Sequence, residues 1–155
     1  MSWMIYGAYG FTGRLVVEVA VRRGHKPTLC GRDEARTRAL AESYDLPWRA
    51  IALDDSEGLR RGLEGCDAVL HCAGPFSATF RPMVDACLET GAHYLDITGE
   101  IGVLEAAARR HETAQAQGVV VMPAVGFDVV PTDCTAKRLA EALPGATQLD
   151  IAFAG

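Results

Sequence analysis

Apolar residues along this chain recur with two different spacings that take turns. Short apolar runs stand at Trp3–Tyr6, Pro27–Cys30, Trp48–Leu53, Ala68–Cys72, His93–Ile97 and Val119–Met122, each bounded by Gly, Pro or Asp. Runs of this length read as strands, and the nearly unbroken apolar character of AVLHC and VVVM suits strands buried on both faces. The intervening stretches carry helical spacing. After the first run, Leu15, Val16, Val19 and Ala20 share one predicted helix face, Arg14, Glu18 and Arg22 fall elsewhere, and Gly24 is the stop. Asp33 is the expected cap of a helix over Glu34–Ser43, and Ser56 of a short one ending near Gly65. Pro82 fits the first turn of a helix that stops at Gly91. One longer helix is expected over Glu100–Gln117, closed by Gly118, and a last one over Thr132–Leu143 before Pro144-Gly145. Gln148–Phe153 then begins a further strand.

Strands alternating with helices at this spacing predict an α/β fold: a Rossmann-type doubly wound parallel sheet of about six strands, helices on both faces, in the order 3-2-1-4-5-6. No repeat or Pro/Gly/Ser linker divides the chain. A strand followed only by Ala154-Gly155 is an unusual place to stop. We therefore expect residues 1–147 to form a dinucleotide-binding domain and 148–155 to start a second domain cut short. A seventh edge strand of the same sheet is the alternative.

Between the first strand and first helix lies Gly7-Ala8-Tyr9-Gly10-Phe11-Thr12-Gly13. Its G-x-x-G-x-x-G spacing is one residue longer in the first gap than the common dinucleotide fingerprint, and three glycines alone are weak evidence. The strand-loop-helix context strengthens them. Gly7 permits a tight turn, Gly10 lets a pyrophosphate approach the backbone, and Gly13 lets the helix pack close. The helix N-terminus offers free N–H groups and partial positive charge to phosphates, and Thr12 adds a hydroxyl.

NAD-preferring domains end the second strand on an acidic residue that binds the ribose hydroxyls. Here that strand ends Leu29-Cys30-Gly31-Arg32. Arg32 takes the position about 20–25 residues beyond the glycines, where a guanidinium can hold a 2′-phosphate through two parallel hydrogen bonds. NADP is thus the expected cofactor, with NAD as the alternative. A surface pairing of Arg32 with Asp33 or Glu34 is the competing reading of that residue.

Composition narrows the setting. The chain has 155 residues, 49% of them hydrophobic, and a net charge of −5. A mildly acidic chain with scattered arginines has no electrostatic footprint for nucleic acid or an anionic membrane surface. No apolar stretch reaches the length of a membrane span. Five cysteines without a C-x-x-C pair suit reduced thiols in the cytoplasm. Cys30 and Cys72 read as small core residues. The sequence contains neither zinc-ligand spacing nor a G-x-S-x-G elbow. A Tyr and Lys four apart, as short-chain dehydrogenases need, are also absent: Thr98 follows Tyr94 and Trp48 follows Tyr44. Asp96, Glu100 and Asp128 follow strands five and six at the cofactor edge, where they can orient substrate or shuttle a proton; helix capping by Thr98 and Glu100 is the alternative. His71 reads as a hydrogen-bonded core histidine, His93 as structural, and His25 and His111 as exposed.

The motifs GAYGFTGR, CGRD, HCAGPF, HYLDITGE and GFDVVPTD, in this order, resemble the N-terminal domain of saccharopine dehydrogenase-like oxidoreductases, nearest to their trans-acting enoyl reductase branch. HYLDITGE and GFDVVPTD are the most specific of these. The resemblance covers almost the whole chain. It implies an NAD(P)-dependent oxidoreductase in which an absent α+β domain, starting near Gln148, supplies dimer contacts and much of the substrate pocket. It implies cofactor contacts at Gly7, Tyr9, Gly10, Phe11, Thr12, Gly13 and Arg32, with Cys72, Ala73, Gly74 and Pro75 (and Phe76 next to them) after the fourth strand; Asp54 is a weaker candidate at the adenine edge. The fourth-strand loop is expected independently, because ligands of open α/β sheets bind beyond strand carboxyl ends at the switch point. The implied chemistry is hydride transfer from NADPH to an imine or enoyl-type small-molecule or lipid substrate, by a homodimer when full-length. A non-catalytic dinucleotide sensor is the competing function.

Overall fold

In a computed structural model, residues 2–127 and 129–152 are described. The elements run β1 (Trp3–Tyr6), α1 (Phe11–Arg22), β2 (Thr28–Gly31), α2 (Glu34–Tyr44), β3 (Trp48–Ala50), α3 (Ser56–Leu63), β4 (Ala68–His71), α4 (Phe76–Thr90), β5 (His93–Asp96), α5 (Ile101–Ala108), α6 (His111–Gln117), β6 (Val121–Met122) and α7 (Val130–Ala142). The sheet order is β3-β2-β1-β4-β5-β6, and every pairing is parallel. This is the Rossmann arrangement expected from the alternation of strands and helices.

β1 is central, with Ile5 in register with Leu29 on one side and Leu70 on the other. The two-residue period of the strand divides its side chains between two cores. Met4 and Tyr6 join the larger core with Phe80, Met83, Val84 and Cys87 of α4. Ile5 joins the smaller one with Val17 of α1 and Ala41 of α2. Burial falls off at the sheet edges, where β3 and β6 are mostly open to solvent.

Several local expectations change. The buried face of α1 is Gly13, Val17 and Ala20, while Leu15 and Val19 are exposed. Helical periodicity alone allows either rotation; the close seat of Gly13 described below selects this one. Asp55, not Ser56, caps α3, accepting from the Gly58 amide at 2.8 Å. Pro82 lies inside α4 rather than in its first turn, because the helix already starts at Phe76. The expected single helix Glu100–Gln117 is two, α5 and α6. Arg110 at the break donates to Asp85 of α4 at 2.8 Å and sits 5.1 Å from the centre of the Phe80 ring, which pins the bend. The expected strand from Gln148 is exposed chain without regular secondary structure through Ala152, paired to no strand among the described residues; Phe153 lies outside them. α7, just before it, buries none of its side chains. His25 and His111 are exposed as expected, and His93 is structural, its Nδ1 accepting from the Val120 amide at 3.1 Å.

His71 is a core histidine, but neither ring nitrogen has a hydrogen-bond partner among the described residues. Rings of Tyr6, Phe76 and Tyr94 surround it at 5.4, 5.4 and 6.1 Å. Burial in this apolar nest lowers its pKa from 6.5 to about 3. The folded protein therefore keeps His71 neutral while the unfolded chain takes up a proton below pH 6.5, so stability falls as pH drops from 6.5 toward 3. Replacing His71 by Leu should flatten that slope by about 2–3 kcal/mol between pH 6.5 and 4.5. Urea unfolding at the two pH values measures it, and an unchanged slope would mean that the ring is solvated in the fold.

Candidate cofactor site

The loops that follow β1, β2, β3 and β4 enclose a cavity of about 720 Å³ at the carboxyl edge of the sheet. That is within the range of small-molecule and cofactor sites. Its construction begins with an interlock that leaves no room for a side chain at two glycines. Gly7, with φ +79°, lies so close to the β4 loop that a Cβ there would come within 2.9 Å of the Ala73 backbone nitrogen. A Cβ on Gly13 would sit 2.3 Å from the Gly7 carbonyl oxygen. Three elements, β1, α1 and the β4 loop, thus meet by backbone contact, and only glycine admits both approaches. The Gly7 and Ala8 amides donate to the Cys30 carbonyl at 2.8 and 3.2 Å, tying the turn to β2.

This turn leaves donors open. Gly10, the N-cap of α1, brings no side chain to its first turn, and the amides of Phe11, Thr12 and Gly13 find no acceptor among the described residues. A helix start with uncapped amides favours an anion through those N–H groups and the helix dipole.

Of the site residues expected from sequence, Gly7, Tyr9, Gly10, Arg32, Asp54, Cys72, Ala73, Gly74 and Pro75 line the cavity. Phe11, Thr12 and Gly13 do not. Gly13 is enclosed in the interlock and the Phe11 ring points into solvent, so these positions offer backbone amides rather than walls. Sequence reasoning missed Tyr6, Gly31, Ala52, Leu53, Ala78 and Thr79. Ala52 and Leu53 were assigned to the β3 strand, which ends at Ala50 and leaves them free to curl over the opening. The Thr79 hydroxyl donates to the Ala73 carbonyl at 2.7 Å and holds the β4 loop in shape. The Tyr6 hydroxyl donates to the Ile51 carbonyl at 2.8 Å, and burial raises its pKa. Cys72 is half-buried, and burial pushes its thiol up to about 12, so it packs as a neutral group.

The carboxylates after β5 are structural. Asp96 is fully buried and accepts from the Tyr94 hydroxyl at 2.6 Å, the Thr98 amide at 2.9 Å and the Ala124 amide at 3.0 Å. It joins the loops after β5 and β6 and has no face toward the cavity lining. Thr98 receives the Glu100 amide at 3.0 Å. Glu100 does cap a helix, but not its own: its carboxylate takes the Phe76 and Ser77 amides at 2.6 and 2.8 Å at the start of α4. Asp128 lies outside the described residues.

The Phe76 bond, more than any other influence, holds the Glu100 carboxyl below its usual 4.5. A depressed folded-state pKa means that this stabilisation is present above pH 4.5 and is lost as pH falls through the lower folded value. Replacing Glu100 by Ala should lower the melting temperature by about 2–4 °C at pH 7, as loss of a cap does. The deficit should shrink below pH 4. Thermal melts at both pH values test this, and a deficit independent of pH would leave the charge without a role.

Comparison with known proteins agrees with this geometry. A sequence profile of the saccharopine dehydrogenase NADP binding domain matches residues 3–122. The chain is 34% identical over 147 residues to a probable mitochondrial saccharopine dehydrogenase-like oxidoreductase of Arabidopsis thaliana, covering 84% of this chain and 32% of that protein. It is 33% identical over 144 residues to a trans-acting enoyl reductase of Mycobacterium leprae, covering 88% of this chain and 34% of the relative. Among solved structures, apo saccharopine dehydrogenase (L-Glu forming) from Saccharomyces cerevisiae superposes with a TM-score of 0.80 at 18% identity, over 92% of this chain and 31% of the yeast chain, which speaks to the fold alone. The chain spans about a third of the length of the curated relatives it matches. With its profile match running from β1 through β6 and the glycine turn at its centre, the chain belongs to the saccharopine dehydrogenase NADP-binding-domain family.

Proposed function

We propose that this protein is the cofactor-holding part of an oxidoreductase that uses NADPH to reduce an imine or enoyl-type substrate, a small molecule or a lipid. The observation that carries the reading is the set of open amides at Phe11, Thr12 and Gly13 beside a cavity walled by four strand-end loops. The glycine cradle fits a pyrophosphate, because any Cβ at Gly7 or Gly13 would push the loop off its seat. Arg32 and Asp54 bind the adenosine end, with Arg32 on the 2′-phosphate. Ala73 and Gly74 let the nicotinamide ribose lie against backbone. When bound, NADPH supplies a hydride; the protein positions it.

The substrate class rests on relatives, one named an enoyl reductase and another a saccharopine dehydrogenase-like oxidoreductase. We place residues 1–147 in one domain and assign 148–155 to the start of a second. Joined to the rest of such a protein, the domain works as a homodimer in the cytoplasm, where its free thiols remain reduced. Among the described residues no helix is long and apolar enough to cross a membrane. A dinucleotide sensor is the second reading, favoured by the structural commitment of Asp96 and Glu100, which leaves neither free to transfer a proton.

Calorimetric titration should show NADPH binding, and Arg32→Ala should weaken it about ten- to a hundredfold with little change for NADH. Equal losses for both would remove Arg32 from the 2′-phosphate. Oxidation of NADPH by the full-length protein with imine or enoyl compounds separates enzyme from sensor.

A further inference from the structure

Beside the cavity, a second arginine is held in a way that its own helix does not explain. Tyr9 lines the cavity wall between the glycine turn and Arg32. Its ring lies flat against Gly31, where a Cβ would come within 2.4 Å of Tyr9 Cε1. Its hydroxyl receives the Asp33 amide at 3.4 Å. The ring is thus fixed to the end of β2. Over it stands the guanidinium of Arg36, its central carbon 4.4 Å from the ring centre. This contact orients a side chain that is otherwise exposed.

Arg36 occupies the first turn of α2, where the helix dipole disfavours a cation. Among the described residues no carboxylate pairs with it. The Asp33 carboxylate accepts from the Arg36 backbone amide at 3.0 Å, not from its guanidinium. Among the described residues neither Arg36 nor Arg32 forms an ion pair, whereas Arg22, Arg38, Arg60, Arg61, Arg81, Arg109 and Arg110 all do. Arg32 lines the cavity, and Arg36 stands on the Tyr9 ring that lines it beside Arg32, so both guanidiniums adjoin the same corner without a paired carboxylate among the described residues.

We infer that Arg36, mounted on the Tyr9 ring, is a second determinant of 2′-phosphate recognition, closing on that group from the α2 side while Arg32 holds it from the end of β2. This rests on the reading of the cavity as the NADP site. The planar guanidinium suits both jobs, with its face on the ring and its edge donors turned to a phosphate dianion. The ring keeps the fork in place before ligand arrives, so little side-chain freedom is lost on binding.

The test is calorimetric titration of the protein and its Arg36→Ala and Arg36→Lys variants with NADPH and with NADH. Arg36→Ala should weaken NADPH about tenfold and NADH less than twofold. Arg36→Lys, which keeps the charge but not the fork, should recover part of the loss. Because Arg36 is exposed and sits at an unfavourable dipole position, the Ala variant should melt no lower than the parent, which separates a binding defect from a folding one. Equal weakening of both cofactors, or none of either, overturns the inference while leaving the cofactor site intact. A parent protein that binds neither cofactor overturns the site itself, and the inference with it.

Discussion

The whole cavity edge depends on one steric constraint: β1, α1 and the β4 loop approach so closely that neither Gly7 nor Gly13 has room for a side chain. Gly13 seats α1 on the carbonyl oxygens of the turn, and Gly7 seats the turn on Ala73. A methyl group at either position must displace backbone, which no rotamer change can relieve. The same contact sets the rotation of α1, sending Val17 and Ala20 inward and leaving Leu15 and Val19 outside. It also sets the uncapped start of the helix directly after Gly10, which lines the cavity. Packing and ligand geometry are therefore one property here, and neither can be altered alone.

Around this interlock the sheet edge is held by carboxylates that bind protein rather than substrate. Asp96 gathers a hydroxyl and two amides from β5 and the β5 and β6 loops. Glu100 reaches back to the start of α4 and closes the loop that runs from Cys72 to Pro75. A buried amide without an acceptor costs about 1–3 kcal/mol, so Asp96, which takes two of them, keeps the β5 and β6 loops from loosening. His71 marks the opposite choice. Its unpartnered ring sits under the same loop, wrapped in aromatics, and the fold tolerates it because it stays neutral.

What could be read from sequence is what depends on local pattern. Strand order followed from alternating periods, and the glycine turn from its place between β1 and α1. Nine of the twelve expected site residues reached the cavity because each belongs to a loop directly after a strand. What escaped depends on distant partners. Glu100 looked like a cap for the helix beside it, but its acceptors serve Phe76 and Ser77, more than twenty residues earlier. The break between α5 and α6 comes from Arg110 meeting Asp85 on another helix. His71 was expected to have a hydrogen-bond partner, and nothing in its neighbours along the chain tells that the surrounding rings offer none. Arg36 had no signal beyond its charge; only Tyr9 folded onto Gly31 gives it a place.

The cavity's own chemistry then limits what this domain does. Its ionisable lining consists of Tyr6, Tyr9, Arg32, Asp54 and Cys72. Tyr6 and Cys72 are held in their neutral forms by burial, and the Tyr6 proton is already given to Ile51. Thr79 is spent on the Ala73 carbonyl. Neither Tyr6 nor Cys72 is poised near neutrality, as an efficient acid or base must be. To a ligand the cavity offers glycine backbone and the Arg32 guanidinium.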